Sequence, residues 1–215
     1  NSRWRLTKGI WAAIRQPQPL SSWGYASLEK IKKSLGNGWG ADLRRVALKG
    51  SSRSADRVRA LMLLQRHGPK PNAGLLRPLS KDSDPLVRAA AMYVVGQHGS
   101  DRAKAIAAAG LADSDPFVRR RAAEALVRMG LRADEPSFAP AGDLYALLND
   151  RDRFVRFAGR VAIERTPREQ WRSVVLQEEN PLGAIEGLVA LIRTAQPSPA
   201  QPNEFVSLQQ RALQL

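Results

Sequence analysis

Three short phrases set carboxylates and guanidinium groups at fixed spacing: Asp82-Ser-Asp-Pro-Leu-Val-Arg88, Asp113-Ser-Asp-Pro-Phe-Val-Arg119 and Asp150-Arg-Asp-Arg-Phe-Val-Arg156. Carboxylates repeated in register could be read as a ladder of oxygen ligands for a hard cation. A simpler chemistry accounts for the same residues. Asp84, Asp115 and Asp152 each stand where a helix N-cap acceptor stands, in two cases directly before a proline whose missing N–H costs nothing at the first helical position. Arg88, Arg119 and Arg156 follow at a distance from which a guanidinium reaches a nearby acceptor or the aspartate of an adjacent unit through charge-assisted hydrogen bonds. On this reading the six residues hold the scaffold together and form no metal site.

The remaining candidates for chemistry are few. The chain has no cysteine, which removes disulfides, thiolate nucleophiles and thiolate zinc sites from it. Its two histidines, His67 and His98, occupy equivalent places in successive repeats, where a donor or cation meets a helix C-terminus favourably. A two-histidine metal site is the competing reading, but no carboxylate accompanies them in the phrase. No nucleophile elbow, phosphate-binding loop or dinucleotide fingerprint occurs. The sequence therefore assigns no catalytic residue, no cofactor and no metal, and points away from an enzyme.

The elements that would carry these residues follow from a repeat. The first two phrases lie 31 residues apart and the second and third 37 apart, with the extra six falling in Arg132–Ala141, which reads as a loop insertion. Extending the spacing gives a column of small residues, Ala60, Ala91, Ala122, Gly159 and Gly187. Each is followed four residues later by a large apolar one: Leu64, Val95, Leu126, Ile163 and Leu191. Residues four apart share a helix face, so each pair lets a neighbouring helix approach and then fills the groove. His67-Gly68, His98-Gly99 and Met129-Gly130 read as helix ends with glycine past the last turn. Shorter apolar runs, Ala73–Leu79, Arg102–Leu111, Asp143–Leu148 and Glu169–Leu176, supply antiparallel partners. Such helix pairs cannot bury their apolar faces alone and must stack.

The phrase followed by a small-residue helix resembles the HEAT-like repeats first named in phycobilin lyases, over about residues 48–193. The likeness weakens at both ends, where Arg57 lacks the preceding Asp-Pro and the last unit reads Asn180-Pro-Leu-Gly-Ala184. A second resemblance is to large bacterial proteins of the putative membrane-bound dehydrogenase type, which join a β-propeller, a HEAT-like segment and a CxxCH haem module. It rests on Trp4-Arg-Leu-Thr-Lys-Gly9 and Asn37-Gly-Trp-Gly-Ala-Asp-Leu-Arg-Arg45. That resemblance implies the middle segment of a longer, extracytoplasmic protein, an expectation in keeping with a chain that starts at Asn1 without an initiator methionine.

The expected fold is all-α: an α-solenoid, a right-handed superhelix of about five to six HEAT-like pairs. Residues 1–23 form an irregular basic arm, 24–50 a degenerate first helix pair, 51–194 the repeats, 195–203 a proline-rich linker and 204–215 an amphipathic C-terminal helix with Phe205, Leu208, Ala212 and Leu215 on one face. No apolar stretch is long enough for a membrane span.

The formal charge of +14 is uneven: residues 1–80 carry 16 basic against 3 acidic side chains, and residues 81–215 carry 18 against 17. The function expected is a non-catalytic scaffold that binds a protein partner, or neighbouring domains of its own polypeptide, through exposed helix residues such as Arg120, Arg121, Glu124 and Arg128. The alternative is nucleic-acid binding by the basic N-terminal region, with Arg3, Arg5, Lys30, Lys32, Lys33, Arg44 and Arg45 tracking phosphates and Trp39 among the aromatic platforms. Tryptophans that anchor the arm are the competing reading there.

Overall fold

The repeated phrase folds the same way each time. In the computed structural model, which describes residues 8–133, 141–195 and 204–213, the middle valine of each phrase, Val87, Val118 or Val155, is at most 1% exposed. The aspartate immediately before the helix accepts from its first free N–H groups. Asp152 Oδ1 takes Phe154 N at 2.7 Å and Val155 N at 3.3 Å, and Asp115 Oδ1 takes Phe117 N at 2.8 Å and Val118 N at 3.3 Å. These bonds satisfy amide donors that a helix start otherwise leaves unpaired.

The chain is all-α. Thirteen α-helices and no strand occur among the described residues. They divide between two compact units, Asn1–Val94 and Val95–Leu215.

The first unit holds α1 (Ile10–Ile14), α2 (Ser22–Leu35), α3 (Gly38–Leu48), α4 (Ser54–His67), α5 (Ala73–Leu79) and α6 (Pro85–Val95), whose last residue passes the boundary. α3 packs most extensively on α4 and also touches α2 and α5. Part of the stretch expected to be irregular is helical. α1 buries Ile10, Ala13 and Ile14 against α2, α3 and α4, and Arg59 Nη2 donates to Gln16 O at 2.6 Å, tying the end of α1 to α4. α4 stops at Gly68, whose φ of 72° lies in the left-handed region that a side chain disfavours.

The second unit holds α7 (Asp101–Gly110), α8 (Pro116–Ala133), α9 (Ala141–Ala146), α10 (Arg153–Ile163), α11 (Arg172–Gln177), α12 (Pro181–Thr194) and α13 (Glu204–Ala212). A 3-10 turn, Leu147–Asn149, continues α9, and another, Arg168–Gln170, precedes α11. α7 packs on α8, α9 on α10 and α11 on α12, while α10 also packs against both α8 and α12. These are successive helix pairs stacked through their second helices.

The small and large columns form the core. Ala60, Ala91 and Ala122 are 0% exposed, and Leu64, Val95, Leu126, Ile163 and Leu191 are at most 1% exposed. Gly159 and Gly187 are needed for close approach: a Cβ at Gly159 would lie 2.6 Å from Leu147 Cβ, and one at Gly187 would lie 2.8 Å from Val175 Cγ2. Two expected helix ends are corrected. α6 already stops at Val95, ahead of His98-Gly99. Gly130 lies inside α8, which runs on to Ala133, because an interior glycine costs only about 1 kcal/mol relative to alanine and does not stop a helix. The expected insertion and C-terminal face fall partly on residues 134–140 and 214–215, outside the described residues. Leu208 of α13 is 1% exposed, while Ala212 is exposed.

Candidate functional site

The residues of the repeated phrase are spent on one another. Each leading aspartate folds its own loop: Asp82, Asp113 and Asp150 accept through Oδ1 from the N–H of Asp84, Asp115 and Asp152 at 3.0, 2.9 and 2.9 Å. Each arginine then clasps that loop from the helix. Arg88, Arg119 and Arg156 donate through Nη1 to the carbonyls of Asp82, Asp113 and Asp150 at 2.8, 2.7 and 2.8 Å.

The same chemistry links one pair to the next within each unit. Arg57, buried in α4, donates Nε to Ala47 O at 3.0 Å and its two terminal nitrogens to the Asp82 carboxylate. Arg119 Nε donates to Asp150 Oδ2 at 2.7 Å. Ser54 donates its hydroxyl to Asp84. The Arg57 guanidinium is the main cause holding Asp82 below the usual carboxylate range, and the Ser54 hydroxyl does the same for Asp84. Carboxylates whose lone pairs are occupied in this way have little left to give a metal ion.

His67 is closed in as well. Its Nδ1 lies 3.0 Å from Glu29 Oε1, its ring stacks tilted against Tyr25 at 5.2 Å, and its carbonyl accepts from Lys32 Nζ at 2.6 Å. The structure corrects the place given to Trp39 in the nucleic-acid alternative. Trp39 is 2% exposed, and its indole N–H donates to Gly68 O at 2.7 Å, so it has no face to offer a base. That burial depends on a carbonyl 29 residues away. Lys32 is committed to the His67 carbonyl, Arg45 pairs with Asp42 at 2.7 Å while staying exposed, and Lys30, Lys33 and Arg44 are exposed as well. Arg3 and Arg5 lie outside the described residues.

A different surface gathers exposed apolar and charged groups. In the second unit α8, α10 and α12 lie side by side and enclose a groove of about 690 Å³. Val127, Ala158 and Val161 form its apolar lining, and Phe154 and Phe157 stand over it at 48% and 56% exposure. Trp23 and Tyr25 are as exposed elsewhere in the chain, so what sets these two rings apart is that they share one groove with an apolar lining and charged groups. Guanidinium groups lie over them: Arg153 at 4.7 Å and Arg120 at 5.3 Å from the Phe154 centroid, and Arg160 at 5.2 Å from that of Phe157. Glu124 joins Arg120 and Arg121, each at 2.7 Å, and Glu186 meets Arg160 at 2.9 Å.

Three of the four contact residues expected from the sequence, Arg120, Glu124 and Arg128, line this groove. The fourth, Arg121, turns to Phe117 at 5.1 Å and braces Glu124 from the side. Sequence reasoning missed Phe154, Phe157, Arg153 and Glu186. A signal was present in the phrase itself. The residue before each core valine is Leu86, Phe117 or Phe154, which lies about 100° round the helix from that valine, toward the edge of the core-facing stripe. All three are exposed, as is Leu182 at the corresponding place in α12.

A family model described as HEAT repeats matches residues 41–127. That stretch is HEAT-like. The match begins in α3 and ends in α8, so it takes in the first two of the three phrases, and the HEAT-like pattern of helix pairs continues through α10 and α12. No curated protein matches the chain. No helix among the described residues is long and apolar enough to cross a membrane.

Proposed function

We propose that this HEAT-like chain is a scaffold that binds a polypeptide segment in the groove between α8, α10 and α12. HEAT repeats commonly serve as protein-interaction scaffolds, which supports a binding role without choosing the surface. The observation that carries the choice is the groove itself: two half-exposed phenylalanines, Phe154 under two guanidinium groups and Phe157 under one, beside an apolar lining and two carboxylates. Such a mixture of aromatic anchor and arginine is what interface centres favour, because rings give large area at low entropy cost and guanidinium groups give directional hydrogen bonds. The segment belongs either to another protein or to a neighbouring part of a longer polypeptide, as the resemblance to the propeller and haem-module proteins implies.

The test is selection of binders from a displayed random-peptide library, followed by titration against Phe157→Ala and Phe154→Ala. Phe157 is more than half exposed, so its removal leaves the fold near its original stability. As an anchor it contributes about 2 kcal/mol or more, and affinity then falls at least about 30-fold. Selected peptides that bind both variants as tightly as the parent would sink the proposal.

A further inference from the structure

We infer that the segment taken by this groove is acidic, its carboxylates meeting the arginines around Phe154 while an apolar side chain packs on Phe157. This rests on the peptide-binding reading above and adds the partner's chemistry to it.

The first support is the way charge is sorted within the second unit. Residues 95–215 are almost neutral, with 16 basic against 15 acidic side chains. The groove and the ion pairs attached to it hold seven arginines, Arg120, Arg121, Arg128, Arg153, Arg156, Arg160 and Arg193, against three glutamates, Glu124, Glu164 and Glu186. The rest of the unit is left with 9 basic against 12 acidic. The groove lining itself carries three arginines, Arg120, Arg128 and Arg153, against two glutamates, Glu124 and Glu186, and the ion pairs behind it add further arginines, so the local charge is positive in a unit with almost none to spare.

The second support is how those charges are engaged. Glu124 is shared between Arg120 and Arg121, and Glu186 between Arg160 and Arg156, the latter at 3.8 Å, so each carboxylate already faces two cations. Arg153 pairs with no carboxylate among the described residues and lies only on the Phe154 ring. A guanidinium lying over a ring keeps its N–H groups pointing outward in its own plane, the arrangement that accepts a carboxylate side-on through two bonds. Arg153 approaches the ring from α10 and Arg120 from α8, the latter with its Nε already given to Glu124, so Arg153 is the freer of the two to take a carboxylate.

The carboxylates at the rim also discriminate between anions. Glu124 and Glu186 repel a backbone that carries a phosphate at every step, whereas an acidic peptide spaces its charges and supplies the apolar side chain that Phe157 needs. Partial pairing across the mouth further predicts that salt weakens binding only in part.

The test uses the full chain and three synthetic peptides that share their apolar residues and differ elsewhere in carrying Asp/Glu, Ser/Gln or Lys/Arg, with single-stranded DNA as a fourth probe. Fluorescence anisotropy at about 50 mM and about 300 mM salt reads affinity under two degrees of screening. The acidic peptide is expected to bind at least tenfold more tightly than the neutral one, and the basic one more weakly still. Arg153→Glu is expected to cost the acidic peptide at least tenfold more than it costs the neutral one, and to improve the basic one. Phe157→Ala is expected to weaken the acidic and neutral peptides together. If the neutral or basic peptide binds as well as the acidic one with Phe157 still required, the groove stands and the acidic inference falls. If no peptide binding depends on Phe157, the groove reading falls with it. If DNA binds best, and through Arg153 without Phe157, the partner is nucleic acid and both are overturned.

Discussion

Replacing Gly159 by alanine tests whether the small-residue column sets how closely the helix pairs stack. A Cβ built there sits 2.6 Å from Leu147 Cβ, an atom anchored directly to the backbone of the preceding 3-10 turn, and 3.5 Å from Leu144 O. Two saturated carbons need about 3.5–4.0 Å. No rotamer change moves a Cβ, so α10 and the turn must separate by roughly 1 Å in a core where Leu144 and Leu148 are fully buried. Such overpacking lies at the upper end of about 1–3 kcal/mol, and the helix preference of alanine over glycine returns up to about 1 kcal/mol. The net loss is about 2 kcal/mol, which lowers the melting temperature of a chain this size by about 4–8 °C. Gly142 is the control. It is exposed in α9 with nothing within 4 Å of its would-be Cβ, and alanine there gains up to about 1 kcal/mol. Circular dichroism melts of both variants decide the matter. A Gly159→Ala protein that melts with or above the parent would show that α10 is not held at the distance argued here.

The arginine clasps make further forecasts. Arg119→Ala strands Asp150, whose side chain is 9% exposed, and frees the Asp113 and Ser114 carbonyls; urea denaturation is expected to show a loss of about 2–3 kcal/mol, with Arg119→Lys recovering little because one ammonium cannot reach all three acceptors. Asp152→Ala removes the cap of α10 and costs about 1 kcal/mol in the same assay. Asp82 has its folded pKa depressed, chiefly by Arg57, so it stabilises the fold fully above its unfolded value of about 3.9 and loses that contribution as pH falls through the lower folded value. The stability gap between the parent and Asp82→Asn should therefore narrow on going from pH 7 to pH 3; a constant gap would mean that the ion pair is not its origin.

Much of the scaffold was legible because it repeats. The columns from Ala60 to Gly187 and from Leu64 to Leu191 could be aligned by spacing alone, and every member is buried. The parts that escaped depend on contacts distant in sequence or on which side of a helix faces outward. The burial of Trp39 requires the Gly68 carbonyl from the far end of α4. α1 is too short to announce itself by periodicity, and its helix is held by burial of Ile10, Ala13 and Ile14 and by the Arg59 contact to Gln16. Phe154 read as one more apolar residue of the phrase. Val155 takes the core position of the phrase, and Phe154, about 100° round the helix from it, is left outside.

That alternation within a single phrase explains how one repeat can build a scaffold and still present a distinctive surface. The aspartate, valine and arginine are fixed by tasks that recur in each pair: capping, filling the core and clasping the loop. A change at any of them carries a structural cost. The residue directly before the valine, and those one and two turns further on, face outward and are free of those tasks. In α8 they are Phe117, Arg120 and Glu124; in α10, Phe154, Phe157 and Val161; in α12, Leu182, Ile185 and Val189. Beyond the first of these positions the side chains change from charged to aromatic to aliphatic across three stacked helices, while the phrase beneath is kept in α8 and α10 and is relaxed to Asn180-Pro-Leu-Gly-Ala184 in α12. A surface that varies along the stack in this way gives a bound segment a direction and a register. Exchange of Phe157 with Arg120 in a double variant should therefore preserve folding, since both side chains lie outside the core, and abolish selective binding, since the order of contacts is reversed. Loss of folding in that variant would place these side chains in the scaffold.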